Sequence, residues 1–222
     1  MRFADVVARF ETLPAELPEG PPQLVPVLSS TGTRRPRLPK EEGRIPVDAA
    51  VLVLVFPDDD GDARLVLTER VDRGGAHSGE VSFPGGKVEP GDADLAATAL
   101  REAAEEVGLD AEQAGVRILG TFAPLHIPVS GFAVTPVLAV AARRPVLTPA
   151  PAEVARIVEA DVASFLPGVT LRDVEREIRG WRVRYAAYDI DGLAVWGMTA
   201  RVLGGLGVHL GGRAGETEGT AD

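Results

Sequence analysis

The stretch "GEVSFPGGKVEPGDADLAATALREAAEEVG", residues 79–108, joins a glycine-proline turn to an alanine-rich helix. Projected at about 100° per residue, Glu102, Glu105 and Glu106 share an arc of about 100°. Ala96, Leu100, Ala103, Ala104 and Val107 fall on the other side, so one face is expected to bury against a sheet while the other carries three carboxylates. Asp92 or Asp94 is placed to cap the start of the helix and Gly108 to end it. Acidic outer faces are common on such helices, and Arg101 with Glu105 makes an ordinary i,i+4 ion pair. The approach shifts the balance away from a merely solvated face. Gly85-Gly86 suits a backbone that comes close to a ligand or takes φ > 0. Clustered carboxylates repel one another, and a hard divalent cation with oxygen ligands relieves that repulsion.

Working outward, "AAVLVLVF" (49–56) and "RLVLTER" (64–70) are β-type runs on either side of the turn cluster "PDDDGDA", and are expected to pair antiparallel. The first is almost wholly apolar, as a central strand would be. Downstream, "VRILGTFA" (116–123), "FAVTPVLAVAA" (132–142) and "WRVRYAAYDI" (181–190) read as strands. Residues 151–166 read as a turn or strand followed by a short helix, and 195–206 as a strand that becomes a helix. Strands that do not alternate strictly with helices favour an α+β fold, an α/β/α sandwich with a mixed sheet. The expected organisation is an N-terminal helix and Pro-rich arm (1–44), one domain (45–206) and a flexible tail (207–222). The arm (14–44) reads as an extended arm or linker and leaves three roles open: covering the sheet, building a homodimer, or remaining mobile.

The 222 residues carry a formal net charge of −10 and no cysteine. That charge argues against non-specific binding to nucleic acid or an anionic membrane, both of which need basic surface. Without cysteine there is no disulfide framework, thiolate zinc site or cysteine nucleophile. Phe3, Val6, Val7, Phe10 and Leu13 recur at helical spacing among charges, an amphipathic helix and not a secretory signal. A soluble, cytoplasmic protein is the expectation.

The string Gly86, Asp92 and Arg101-Glu102-Ala103-Ala104-Glu105-Glu106-Val107-Gly108-Leu109 resembles the signature box of Nudix hydrolases. That box reads Gly, five residues, Glu, seven residues, then Arg-Glu-aliphatic-x-Glu-Glu-x-Gly-aliphatic. Here Asp92 stands for the first Glu, and eight residues separate it from Arg101. The resemblance implies hydrolysis of a nucleoside diphosphate linked to another group, with Mg²⁺ or Mn²⁺ as cofactor. It casts Glu102 and Glu106 as the main metal ligands and Glu105 as a further ligand or general base. Arg101 would hold a glutamate in place, and the Gly86 carbonyl would lie beside the metal. Glu153 in "PAEVARI" competes with Glu105 as the base.

Just before the box, "LTERVDRGGAHSGEVSFPGG" (67–86) resembles the extra signature of the coenzyme A pyrophosphatase subfamily. Leu67, Thr68, Arg70, His77 and residues 79–86 agree with it, whereas Val71, Gly74 and Gly75 do not. "WGMTARVL" (196–203) resembles that subfamily's end. The implied substrate is coenzyme A or a thioester of it, with Arg70, His77, Glu80, Ser82, Gly85 and Gly86 as substrate-binding candidates. Arg73 and Lys87 are further basic candidates for an extra phosphate. Pro124 lies at about the distance from the box where ADP-sugar pyrophosphatases carry a proline, which makes ADP-ribose the alternative substrate. A catalytically idle ligand sensor is the third reading. Trp181 and Trp196 are expected to pack in the core or at an edge.

Overall fold

The computed structural model describes residues 1–14, 16–34, 45–72, 80–127, 131–178 and 180–211. The chain runs α1 (Phe3–Phe10), β1 (Val27–Leu28), β2 (Val47–Pro57), β3 (Ala63–Arg70), β4 (Val81–Ser82) and β5 (Gly85–Lys87). It continues with α2 (Leu95–Val107), α3 (Ala111–Ala114), β6 (Val116–Thr121), β7 (Leu125–Ile127), β8 (Phe132–Ala141) and β9 (Val154–Asp161). β10 (Arg172–Ile178), β11 (Trp181–Ile190), β12 (Leu193–Val195) and α4 (Gly197–Gly211) complete it.

β2 is central because both of its faces are apolar. Ala49, Val51, Val53 and Val55 enter one core cluster, while Ala50, Leu52, Leu54 and Phe56 enter another beneath α2. Each Val or Leu fully buried there contributes about 1.5–3 kcal/mol. The larger sheet has the order β4-β3-β2-β8-β6, with β5 on β2, β7 on β8 and β9 on β3. β2 and β8 run parallel, residues 47–55 against 132–140, and the β2–β3 pairing is antiparallel as expected. The sheet is therefore mixed. A smaller sheet, β1-β11-β10 with β12 on β11, turns Ala186, Tyr188 and Ile190 into the main core.

Four local expectations change. β10 was not anticipated, because "RDVEREI" offers a single apolar residue before its last position; its cross-strand pairing to β11 supplies the order. The arm is not uniformly extended: Pro22–Leu24 is a 3-10 turn, Leu24 is fully buried, and β1 pairs with β11. The last helix runs to Gly211, beyond residue 206. Its glycines permit close packing: a Cβ at Gly205 would meet the Pro18 carbonyl at 2.6 Å, and one at Gly207 the Phe165 carbonyl carbon at 2.7 Å. Finally, α2 is rotated from the expected orientation. Ala104 is exposed, whereas Glu106 is buried beside Ala99, Ala103 and Val107.

Candidate active site

β5 brings the glycine loop across the second half of α2, beside Arg101, Glu102 and Glu106. It pairs with β2 at Ala50↔Gly86 and Val51↔Gly85. Gly85 has φ 157°, and a Cβ there would meet Val51 Cα at 2.6 Å, so both conformation and space demand glycine. A Cβ on Gly86 would strike the Glu102 carboxylate, reaching 2.7 Å from Oε2. The expected close approach of backbone is thus made to Glu102.

Of the two cap candidates, Asp94 caps α2 by accepting the Ala97 N–H at 2.8 Å, and Gly108 closes the helix at φ 65°. Asp92 does something else. It accepts Arg101 Nε at 3.0 Å and Nη2 at 3.1 Å, the Thr98 hydroxyl at 2.8 Å and the Glu89 N–H at 2.9 Å. Arg101 in turn donates to Glu102 at 3.0 Å, to Glu105 at 3.3 Å and to the Lys87 carbonyl at 3.0 Å. The shorter acid and the extra loop residue still meet the guanidinium in a two-point pair. Arg101 and the Glu89 N–H hold the Asp92 carboxyl well below the usual range, and Asp92 keeps Arg101 firmly protonated.

Glu106 is 6 % exposed, and its Oε2 accepts the Gly85 N–H at 3.1 Å. Burial pushes its carboxyl up to about 7 against the pull of that N–H and of Arg70, and the charges on Glu102 and Glu153 add to the rise. Glu102 is also pushed up, by burial first, with Arg101 opposing. Glu105 is 61 % exposed and faces Arg101.

The structure thus gathers Glu102, Glu106, Arg101, Gly85 and Gly86 around one loop, and Arg70 acts on Glu106 through its charge. Ser82 lies one strand away: Thr68 Oγ1 is 3.4 Å from its hydroxyl and donates to its carbonyl at 3.3 Å. The Glu80 carbonyl accepts the Arg70 N–H at 3.0 Å. His77 and Arg73 lie outside the described residues. Lys87 sits over the Phe132 ring, 5.8 Å from its centroid. Pro124 is exposed between β6 and β7.

The segment that carries Glu153 is tied to the site by main-chain hydrogen bonds. Ala150 donates to the Glu106 carbonyl at 2.8 Å, and Val71 donates to the Glu153 carbonyl at 3.0 Å. The loop is stitched to both α2 and the end of β3, and the Glu153 charge acts on Glu102 and Glu106 together. Nothing in "PAEVARI" signals this, because the stitching is entirely backbone.

Among the described residues, no three carboxylate or imidazole side chains already converge on one point. What lies beside the glycine loop is a half-buried Glu102 and a buried Glu106, with peptide groups between them. This all-oxygen set suits a hard divalent cation, whose charge would offset the cost of ionising Glu106.

Residues 46–182 match the family model of the NUDIX domain. Nudix hydrolase 22, chloroplastic, of Arabidopsis thaliana is 40% identical over 166 residues, 71% of this chain and 53% of that protein. The uncharacterised Nudix hydrolase NudL of Photorhabdus laumondii is 36% identical over 139 residues, 63% of this chain and 73% of that protein. The chain spans about half the length of the plant relative. A crystal structure of the Nudix hydrolase RenU from M. smegmatis superposes with a TM-score of 0.45 at 26% identity, covering 62% of this chain and 79% of that one. With the family match spanning the glycine loop, α2 and the mixed sheet, the chain belongs to the Nudix hydrolase family and has its α+β fold.

Proposed function

We propose that this chain is a metal-dependent pyrophosphohydrolase that cleaves coenzyme A or its thioesters to 3′,5′-ADP and 4′-phosphopantetheine or its acyl derivative. The observation that carries the hydrolase reading is the buried Glu106 beside Glu102 at the Gly85-Gly86 backbone. The substrate reading is supported by the run from Leu67 to Gly86, which leads along β3 and β4 into that loop.

In the reaction, a water oxygen bonds to one phosphorus of the diphosphate, the bridging P–O bond breaks, and the other phosphate leaves with that oxygen. The proton lost by water passes to a carboxylate. Glu105 is the first assignment for that base and Glu153 the second, since the backbone holds Glu153 beside the same site. Glu102 and Glu106 would hold Mg²⁺ or Mn²⁺, with Glu105 and the Gly86 carbonyl as further donors. The cation, when bound, supplies Lewis-acid polarisation of a phosphoryl oxygen and a more acidic water. Asp92 fixes Arg101, which orients Glu102, while Arg70 adds positive charge near the diphosphate.

The deciding experiment incubates the protein with coenzyme A and with ADP-ribose under Mg²⁺ or Mn²⁺ and weighs the products by mass spectrometry. Release of 3′,5′-ADP with kcat/KM at least about tenfold above that for ADP-ribose is expected. Preferential cleavage of ADP-ribose would establish the ADP-sugar reading instead, and no turnover of either would favour a non-catalytic sensor.

A further inference from the structure

Resting on the coenzyme A reading, we propose that Arg176 is a specificity-determining residue that binds the 3′-phosphate of the nucleotide. The pairings Val174↔Tyr185 and Arg176↔Val183 put Arg176 on the same face of the small sheet as Tyr185. Tyr185 stacks on Trp196, with centroids 4.7 Å apart and planes inclined by 21°. The Arg176 guanidinium lies 5.3 Å from the Trp196 centroid, and its charge acts on the Tyr185 hydroxyl. A long exposed side chain is thereby held against a ring with no ion pair among the described residues. Its neighbours Arg172 and Arg182 pair with Asp189 and Glu175, whereas the contact of Arg176 among the described residues is the Trp196 ring.

A stacked guanidinium keeps N–H groups free in one plane, the geometry that matches phosphate oxygens, and pre-ordering lowers the entropic cost of binding. Trp196 directly follows β12, which packs against β4, the strand that leads into the glycine loop, so a substrate at the carboxylates lies on the side that Arg176 faces. The charge of Glu80 acts on Tyr185, the Glu80 carbonyl holds the Arg70 N–H at 3.0 Å, and Arg70 acts on Glu106. Gly75, in the sequence run that leads to the glycine loop, offers no cation of its own. Arg176 supplies one from the other sheet.

The test compares kcat/KM for coenzyme A and 3′-dephospho-coenzyme A in the wild type, Arg176→Ala, Arg176→Lys and the control Arg182→Ala. Arg176→Ala is expected to raise KM for coenzyme A about tenfold, with kcat within about twofold, and to leave the dephospho substrate unchanged. Arg176→Lys should recover only part of the loss because an ammonium lacks the planar fork, and Arg182→Ala should match the wild type. Equal losses on both substrates, as a packing role would produce, or no loss on either would overturn the assignment. Equilibrium binding of adenosine 3′,5′-bisphosphate against 5′-AMP separates this idea from the reading beneath it. A preference for the bisphosphate that disappears in Arg176→Ala supports the subsite even if the wild type fails to hydrolyse coenzyme A. Equal wild-type affinity for the two nucleotides overturns the subsite even if hydrolysis proceeds.

Discussion

Two acidic clusters sit at opposite ends of β2, and they differ in how their charge is settled. At the β2–β3 turn, Asp58 accepts Arg64 at 2.8 Å, and Arg144 bridges Asp59 at 2.7 Å and Glu159 at 2.8 Å. Arg64 holds the Asp58 carboxyl below its usual range, and the residues ring an open hollow of about 220 Å³. Beside β5, Arg101 satisfies Asp92 and reaches Glu102 and Glu105, but Glu106 is buried, its carboxylate accepts the Gly85 N–H alone among the described residues, and it is pushed up to about 7. Acid count does not distinguish the two ends. The second is distinguished by a carboxyl that folding has buried with no ion-pair partner among the described residues, so that ionising it carries a cost that a bound cation would offset.

The sharpest way to break this contrast is Glu106→Gln, nearly isosteric and still able to accept the Gly85 N–H. It should cut metal-dependent turnover at least about a hundredfold while circular dichroism shows the fold intact. Undiminished hydrolysis would refute the metal-site assignment.

A middle-sized effect lies in the pH dependence of the metal-free protein. The Glu106 carboxyl is raised from an ordinary 4.5 to about 7. Between those values the folded state binds more protons than the unfolded, so stability present below about 4.5 is lost as pH rises through about 7, by roughly 3 kcal/mol. Thermal melts in a chelator at pH 5 and pH 8 should show the wild type falling further than Glu106→Gln. Parallel melting curves for the two proteins would mean that Glu106 ionises without penalty.

The smallest effect belongs to the other end. Arg144→Ala removes partly exposed ion pairs, so Tm should fall by no more than about 2 °C and kcat/KM should not move. A turnover defect there would erase the distinction between the clusters.

What could be read ahead of the structure was whatever has a period or a punctuation mark. The apolar run of β2, the strand character of β11, a cap at Asp92 or Asp94 and the stop at Gly108 all announce themselves locally, and the structure decides the cap for Asp94. β10 did not, because its order comes from its neighbour and not from its own residues. The glycines of α4 resemble a loose end until Pro18 and Phe165 are seen pressed against them. At the site, the helix wheel grouped three glutamates but could not say which one the sheet would cover. A modest rotation of α2 decides that, exposing Ala104 and burying Glu106. The position of Glu153 was illegible for another reason: it depends on main-chain hydrogen bonds to α2 and to the end of β3, which no side chain encodes.

The residues before the family match also belong to the packing behind the site. The family match starts at residue 46, yet Val6, Phe10 and Leu24 belong to the same core cluster as β2, and β1 completes an edge of the small sheet. The residues that the family model matches and the residues that build the core therefore do not coincide. A chain trimmed to the first would keep every carboxylate of the site and leave a hole in the core that holds the sheet behind them.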